Sequence, residues 1–218
     1  GAACLAFRAL WQGERFGARD IVRQFTTYSA APYGWYIEMY IGLFLLSPFL
    51  NAAWHALDEG AKRALVFSLA GLTALPGLVN QLGTLLPVWW VGVYPLTYYV
   101  LGAWLREHPL RLKGWQLLAC WAGLAAAMGA KGYLTAGGGA YLWMPEDQWG
   151  SLALTLEAVC LFSCLRRAKG EGLPGPVRWC VARAARLALP MYLVSYIADQ
   201  TVYPVLAQAV PEAHRRLF

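Results

Sequence analysis

The stretch ALVFSLAGLTALPGLVNQLG, residues 64–83, contains no charged side chain. About 20 predominantly apolar residues is the length that an α-helix needs to cross the hydrocarbon core of a bilayer. A surface helix of a soluble protein would instead show polar residues at every third or fourth position. The stretch therefore predicts a membrane-spanning helix.

Similar apolar runs lie on both sides of this stretch, and each is bounded by charges or by Pro/Gly turns. The complete set lies at 34–54, 64–83, 88–105, 114–131, 149–165 and 187–210. In hydrocarbon the backbone N–H and C=O groups must be paired within the segment, so runs of this length are predicted to be helices. We predict an all-α, polytopic transmembrane bundle with about six complete membrane helices.

The composition agrees with a protein that lies in a lipid bilayer. Hydrophobic residues make up 59% and charged residues 14%, whereas a soluble domain carries about 25% charge. The 11 Trp and 12 Tyr suit the membrane interface, where an apolar ring can keep its polar atom wet. The net charge of +6 comes from short clusters between apolar runs rather than from one soluble face, so we predict no nucleic-acid partner.

We predict a single, partial transmembrane domain over residues 1–218. Residues 1–10 are expected to be the tail of a truncated helix, and 11–33 an external segment. Four arginines in 8–23 recur in a pattern that fits either an amphipathic helix on the membrane surface or a solvated loop. The six-helix membrane region is predicted over 34–210.

Orientation follows from Lys and Arg in the loops, because cytoplasmic loops carry an excess of both. Counting by alternate sides gives eleven on one side and seven on the other. The first side, which contains 106–113 and 166–186, is therefore predicted to be cytoplasmic. We interpret 166–186 as the longest cytoplasmic loop, either a positive-inside anchor or a contact for an anionic cytosolic ligand.

The cysteines and histidines offer no catalytic or metal-binding pattern. The five cysteines show no CxxC or Cys/His spacing, so we predict no metal site and no disulfide. The histidines fall near helix ends and none is a convincing general base: they are His55, His108 and His214.

Ionisable residues inside apolar helices are the informative ones, since a charge at the bilayer centre costs at least about 2.5–3.5 kcal/mol. Glu38 lies near the external end of its run, beside Trp35 and Tyr36. It is either a carboxylate at the membrane interface or one that faces a wet cavity and binds a sugar hydroxyl. Glu157 is interpreted as a buried acid kept neutral by a raised pKa.

The last run places Tyr192, Tyr196 and Asp199 four and three positions apart, which puts them on one helix face. Two interpretations stand equally, a hydrogen-bond network between helices and a substrate site. In the third run, Tyr98 and Tyr99 are either interface anchors or part of a substrate path. Arg106 could hold a phosphate or a carboxylate where the chain leaves the membrane.

Three segments, taken in order, resemble acyltransferase family 3, the multi-helix membrane O-acyltransferases of bacteria. They are GWYIEMYIGLFLLSPFLN (34–51), YPLTYYVLGAWLRE (94–107) and LALPMYLVSYIAD (187–199). The resemblance covers about residues 30–205.

The resemblance implies transfer of an acyl group, usually acetyl, to a carbohydrate hydroxyl outside the cell. It implies acetyl-CoA or another acyl donor as a cytoplasmic substrate, and no bound cofactor. The family's essential histidine lies in its first membrane helix, upstream of residue 1, so we expect no catalytic residue in this chain and an inactive fragment. The location implied is the bacterial plasma membrane, crossed several times.

Our leading hypothesis is therefore a membrane O-acyltransferase. Its substrate-binding candidates are Trp35, Tyr36, Glu38, Tyr98, Tyr99, Arg106, Tyr196 and Asp199. The alternative is a transporter or flippase for a sugar or a lipid-linked substrate, although no internal repeat is visible and Pro76, Pro95 and Pro190 are weak signals of broken helices.

Overall fold

The structure, a computed structural model, describes residues 2–30, 33–80, 83–135, 149–167 and 174–209, with side chains up to 205. Its helices are α1 Ala2–Trp11, α2 Ala18–Thr26, α3 Trp35–Ala56, α4 Glu59–Val79, α5 Tyr94–Glu107, α6 Gly114–Thr135, α7 Leu152–Leu165 and α8 Gly175–Ala209. A short 3-10 helix, Val88–Val93, leads directly into α5.

The predicted class, an all-α membrane helix bundle, is confirmed. The described ranges contain helices and turns but no strand. Four helices are long and apolar enough to cross a membrane: α3, α4, α6 and the part of α8 up to Val205. Large apolar side chains of α3 are exposed, with Phe44 at 64% and Phe49 at 72%. Such a surface suits contact with lipid rather than with water.

The chain divides into two compact units. Unit 1 contains residues 1–45 and 170–218, and unit 2 contains 46–169. Helix α3 contributes its first half to unit 1 and its second half to unit 2. The predicted number of domains stays a prediction.

Unit 2 is organised around α4, which contacts the 3-10 helix, α5 and α7, while α6 packs on α7. Its buried core contains Trp54, Val66, Leu69 and Val100. Gly150 is buried against Thr73 of α4 and Val91 of the 3-10 helix. A Cβ there would lie 3.0 Å from Val91 Cγ1 and 3.2 Å from Thr73 Cβ, so the close approach requires glycine.

In unit 1, helix α1 packs against α8. The buried Cys4 Sγ donates a hydrogen bond to the Leu193 carbonyl oxygen at 3.4 Å. Helix α1, Ala2–Trp11, covers most of the predicted helix tail 1–10, and the truncation of that helix stays a prediction.

The second predicted helix begins five residues earlier than expected and ends before 83. Asp58 caps α4, because its Oδ1 accepts a hydrogen bond from the Ala61 N–H at 2.7 Å. At the other end, Asn80 Oδ1 accepts from the N–H groups of Leu85 and Leu86 at 2.9 and 2.8 Å. The apolar pattern missed both signals because the capping residues are polar.

The expected cytoplasmic loop 166–186 is wrong over its second half. Helix α8 begins at Gly175 rather than at 187. Pro176 stands in the first helical turn, where its missing N–H is not needed. The residues that follow are rich in Ala, Arg, Leu and Val, and the arginines among them are good helix formers that an apolar criterion rejects.

The segment 11–33 also contains a helix, α2. Asp20 accepts a hydrogen bond from the Gly17 N–H at 3.1 Å at its start. After its end, Tyr28 adopts φ 53°, a left-handed conformation that turns the chain. With Trp11, the last residue of α1, ten residues of this segment are helical.

Candidate functional site

The carboxylate of Asp199 lies in a polar cluster of unit 1. Its Oδ2 accepts a hydrogen bond from the Tyr33 hydroxyl at 2.5 Å. Tyr33 lies two residues before α3, and Asp199 lies within the apolar part of α8. The hydrogen bond to Asp199, together with partial burial, raises the pKa of Tyr33 to about 12. The phenol thus stays a hydrogen-bond donor at neutral pH.

Tyrosine rings surround this pair. Tyr192 packs against Tyr33 with ring centres 5.5 Å apart and against Tyr36 at 5.0 Å. Tyr196 meets the Tyr33 ring edge to face at 6.2 Å. Aromatic pairs at these distances are attractive beyond their buried area. The structure therefore brings the predicted candidates Tyr36, Tyr196 and Asp199 into one cluster.

An amide extends the cluster on the α1 side. Gln12 Nε2 donates to the Tyr196 hydroxyl oxygen at 3.1 Å and lies 3.5 Å from Gln200 Oε1. Gln12 and Tyr33 were missed by the sequence analysis. Their signals are weak, since Gln12 stands just after an apolar helix and Tyr33 in a turn. We call Gln12, Tyr33, Tyr36, Tyr192, Tyr196 and Asp199 the tyrosine cluster.

Two candidates at the start of α3 lie at the edge of this arrangement. Trp35 contacts Tyr36 edge to face, with ring centres 6.1 Å apart. Glu38 is exposed, and within the described ranges it makes no hydrogen bond or ion pair. The structure therefore does not draw Glu38 into the tyrosine cluster.

The remaining candidates belong to α5 in unit 2. The Tyr98 hydroxyl donates to the Trp149 carbonyl oxygen at 2.6 Å, and the Tyr99 hydroxyl donates to Asn51 Oδ1 at 3.1 Å. These neighbouring tyrosines thus contact different parts of the unit. Arg106 is exposed in the last turn of the helix.

Unit 2 contains a polar cluster of its own, which the sequence did not predict. Glu107 lies beyond the apolar run 88–105, and its Oε2 is 2.8 Å from Lys62 Nζ. Its Oε1 accepts from Trp54 Nε1 at 2.8 Å. The hydrogen bonds from Lys62 and from Trp54 lower the pKa of Glu107. We call these three residues the ionic cluster, and all the groups in it are mutually paired.

A histidine stands next to the ionic cluster. His108 stacks on Trp104 with ring centres 3.8 Å apart, and its Nε2 is 3.2 Å from Glu59 Oε2. These contacts hold the imidazole ring of His108 in place within unit 2. Among the described residues, no group of three or more His, Cys, Asp or Glu side chains lies together in a way that would hold a metal.

These observations define the class of protein: it is a helical membrane protein that carries a carboxylate and several tyrosines within its apolar helices. The comparison with protein families then identifies it. A family model described as an acyltransferase domain, that of acyltransferase family 3, matches residues 3–212, and the chain therefore belongs to this family. No curated protein and no solved structure matches the chain. The match supports the first of the two hypotheses, a membrane acyltransferase.

Proposed function

We propose that this chain serves O-acetyl transfer from acetyl-CoA to a hydroxyl group of a cell-surface carbohydrate. We propose further that it lies in the bacterial plasma membrane and crosses it several times. The observation that carries the proposal is Asp199, an acid inside an apolar helix that is held by a neutral donor and surrounded by aromatic rings. An ionisable residue in a membrane helix points to function by default, because it is costly to keep there.

The tyrosine cluster has the chemistry that a carbohydrate acceptor needs. A sugar presents hydroxyl groups and apolar ring faces, which carboxylates, amides and aromatic rings can bind. In the described part of the chain only Oδ2 of Asp199 is engaged, so Oδ1 is available to accept a hydrogen bond from a sugar hydroxyl. Gln12 supplies an amide, and Tyr36 and Tyr192 supply ring faces.

Glu38 and Trp35 are proposed as outer contacts for the same acceptor. Glu38 is exposed and unpaired among the described residues, so its carboxylate is free to accept hydrogen bonds from hydroxyl groups. Trp35 would offer an apolar ring next to it. Both residues stand in the first turn of α3, directly after Tyr33 and the turn that carries it.

The donor would contact unit 2. Arg106 presents a guanidinium to the phosphates of acetyl-CoA, a geometry in which arginine binds oxyanions well. Tyr98 and Tyr99 are proposed to border the donor path on the same helix. Lys and Arg of the neighbouring connection, residues 108–113, would add positive charge.

The reaction itself needs a proton acceptor. The acceptor hydroxyl attacks the thioester carbonyl, a C–O bond forms, the C–S bond breaks, and the hydroxyl proton passes through a base to the departing thiolate. The family resemblance implies that this base is a histidine upstream of residue 1. We give no such role to His108, which is stacked on Trp104 and paired with Glu59.

Asp199→Asn tests the proposal. Loss of a hydrogen bond to a charged group costs about 1.5–3 kcal/mol, so acetylation of surface polysaccharide should fall roughly 10-fold to 100-fold. The measurement is the amount of ester-linked acetate on the surface polysaccharide of cells that express the natural reading frame or its variant. Asp58→Asn is the matched control, because asparagine caps a helix as well as aspartate does.

Immunoblots of membranes would establish that each variant accumulates normally. Full acetylation by Asp199→Asn would remove Asp199, and with it the tyrosine cluster, from the acceptor site. Glu38→Gln tests the outer contact in the same assay, and unchanged acetylation would exclude that contact alone.

A further inference from the structure

A cavity of about 180 Å³ lies beside the end of α7 in unit 2. Its lining is Leu105, Pro109, Leu110, Ser163, Arg166 and Arg167. The two arginines directly follow the last residue of α7, on the side that the positive charges predict to be cytoplasmic. The lining thus contains two cations and no acid.

Ser163 supplies a polar group inside this cavity. Its residue is only 7% exposed, and its Oγ has no hydrogen-bond partner in the part of the chain that the structure describes. A serine within a helix usually bonds to a backbone carbonyl of the preceding turn. A buried hydroxyl without a partner is destabilising, and a ligand atom in the cavity would satisfy it.

The guanidinium groups of the arginines are held by the backbone of unit 2. Arg166 Nη1 donates to the Leu105 carbonyl oxygen at 2.5 Å. Arg167 donates to the carbonyl oxygens of Leu110 and Leu112. Each guanidinium has five N–H donors in a planar fork, so donors remain for an anion while these bonds fix the charge in place.

An apolar cleft lies next to the cavity, between α5 and α7. It has a volume of about 170 Å³ and shares the wall residue Leu105 with the cavity. The rest of its lining is Tyr98, Leu101, Gly102, Ala158, Val159 and Phe162. A Cβ at Gly102 would meet no described atom within 4 Å, and Phe162 is 42% exposed. The cleft therefore opens on an apolar surface of the unit.

From this arrangement we propose that the face between α5 and α7 binds an anionic phospholipid of the cytoplasmic leaflet. Its phosphate would accept hydrogen bonds from Ser163 Oγ, Arg166 and Arg167, and one acyl chain would lie over Gly102. Basic pockets between membrane helices on the cytoplasmic side bind anionic headgroups in this way. The apolar cleft next to the cations favours a lipid over a free nucleotide. The inference concerns lipid binding, although Tyr98 lines both this cleft and the proposed donor path.

The test measures binding of fluorescent phosphatidylglycerol to the protein. The protein is expressed from its natural reading frame and purified in detergent. Ser163→Ala and Arg166→Gln should each weaken binding roughly tenfold, since each removes a hydrogen bond to a charged phosphate. Gly102→Leu, which fills the cleft and leaves the cations intact, should weaken it too. Arg63→Gln removes the same charge from an exposed position of α4 outside the cavity and should leave the affinity within about twofold.

Unchanged affinity in Ser163→Ala would overturn the proposal, and unchanged affinity in Gly102→Leu would overturn the placement of the acyl chain in the cleft. Arg166→Gln also removes the bond to Leu105 and could unfold the unit, but Ser163→Ala keeps every backbone contact and decides the question alone. Displacement of the lipid by adenosine 3′,5′-bisphosphate would also overturn the proposal, because it would show that a nucleotide binds at the same site. No acetyl donor is present in this assay, so its failure is distinct from failure of the proposed reaction.

Discussion

The two compact units of the chain hold their acids in different ways. In unit 2, Glu107 is paired with a lysine and a tryptophan, so the ionic cluster satisfies its own charges. In unit 1, Asp199 is paired with a neutral tyrosine and keeps one carboxylate oxygen without a partner among the described residues. A closed cluster stabilises the fold, whereas an acid with spare hydrogen-bonding capacity is suited to bind a ligand. The difference supports a structural role for the ionic cluster and agrees with the proposed recognition role of the tyrosine cluster.

Glycine substitutions compare the close packing at Gly150 of unit 2 with the open helix surface at Gly42 of unit 1. Gly150→Ala places a Cβ 3.0 Å from Val91 Cγ1, and overpacking of this kind costs about 1–3 kcal/mol of unfolding free energy. Gly42→Ala, in the unit 1 half of α3, meets no described atom within 4 Å. It should be neutral or stabilise by up to about 1 kcal/mol, since alanine favours a helix. Denaturant unfolding in detergent measures both, and equal effects would contradict the contrast.

Glu107→Gln breaks the ionic cluster and should lower the thermal midpoint at neutral pH. Its effect also depends on pH. The unfolded carboxyl takes up a proton near its ordinary pKa of 4.5, and the folded one only at lower pH. The cluster therefore stabilises fully above that pKa and loses its contribution as pH falls through the folded value.

The measurement is the thermal midpoint of wild type and Glu107→Gln across the acid range. The difference between the two should shrink toward low pH. A difference that stays constant from neutral to acid pH would show that the charge of Glu107 does not carry its stabilising effect.

Tyr33→Phe should produce a smaller loss of stability, about 1.5 kcal/mol, because it removes one partly buried hydrogen bond to a charged carboxylate. Here the pH dependence has the opposite sign. The raised pKa of Tyr33, about 12 against an ordinary 10.0, means that its contribution is full below pH 10 and is lost as pH rises through 12. The thermal midpoints of wild type and variant should therefore converge toward high pH.

Acetylation in the Tyr33→Phe variant should fall only a few-fold, because Asp199 stays in place with its charge. An activity loss as large as that of Asp199→Asn would indicate that the hydroxyl of Tyr33 acts on the substrate directly.

The sequence predicted the helices better than their contacts. Apolar runs specify membrane helices because the bilayer imposes a length and forbids unpaired backbone groups. Helical spacing also put Tyr196 and Asp199 on one face. Their partner Tyr33, however, is 166 positions from Asp199 in the chain, and Lys62 is 45 positions from Glu107. Such pairs depend on how helices pack, which periodicity within one helix does not contain.

Polar caps and arginines inside helices account for the boundary errors. Asp58 and Asn80 set the ends of α4 by hydrogen bonds that an apolar count ignores. Arg178, Arg183 and Arg186 were interpreted as loop charges, although they lie within α8. Both errors have one cause, since hydropathy measures preference for lipid and not preference for helix.

The length of α7 has a consequence for the surrounding membrane. Ser151 caps the helix at its start, with Oγ accepting from the Leu154 N–H at 3.3 Å, and the helix has 14 residues. At 1.5 Å per residue it measures about 21 Å, against about 30 Å for the hydrocarbon thickness of a typical bilayer. If α7 crosses the bilayer, this hydrophobic mismatch would place its guanidinium end below the headgroups, where lipids would have to tilt or thin to meet it. Bilayers made of short-chain lipids should therefore accommodate the protein with the least elastic deformation.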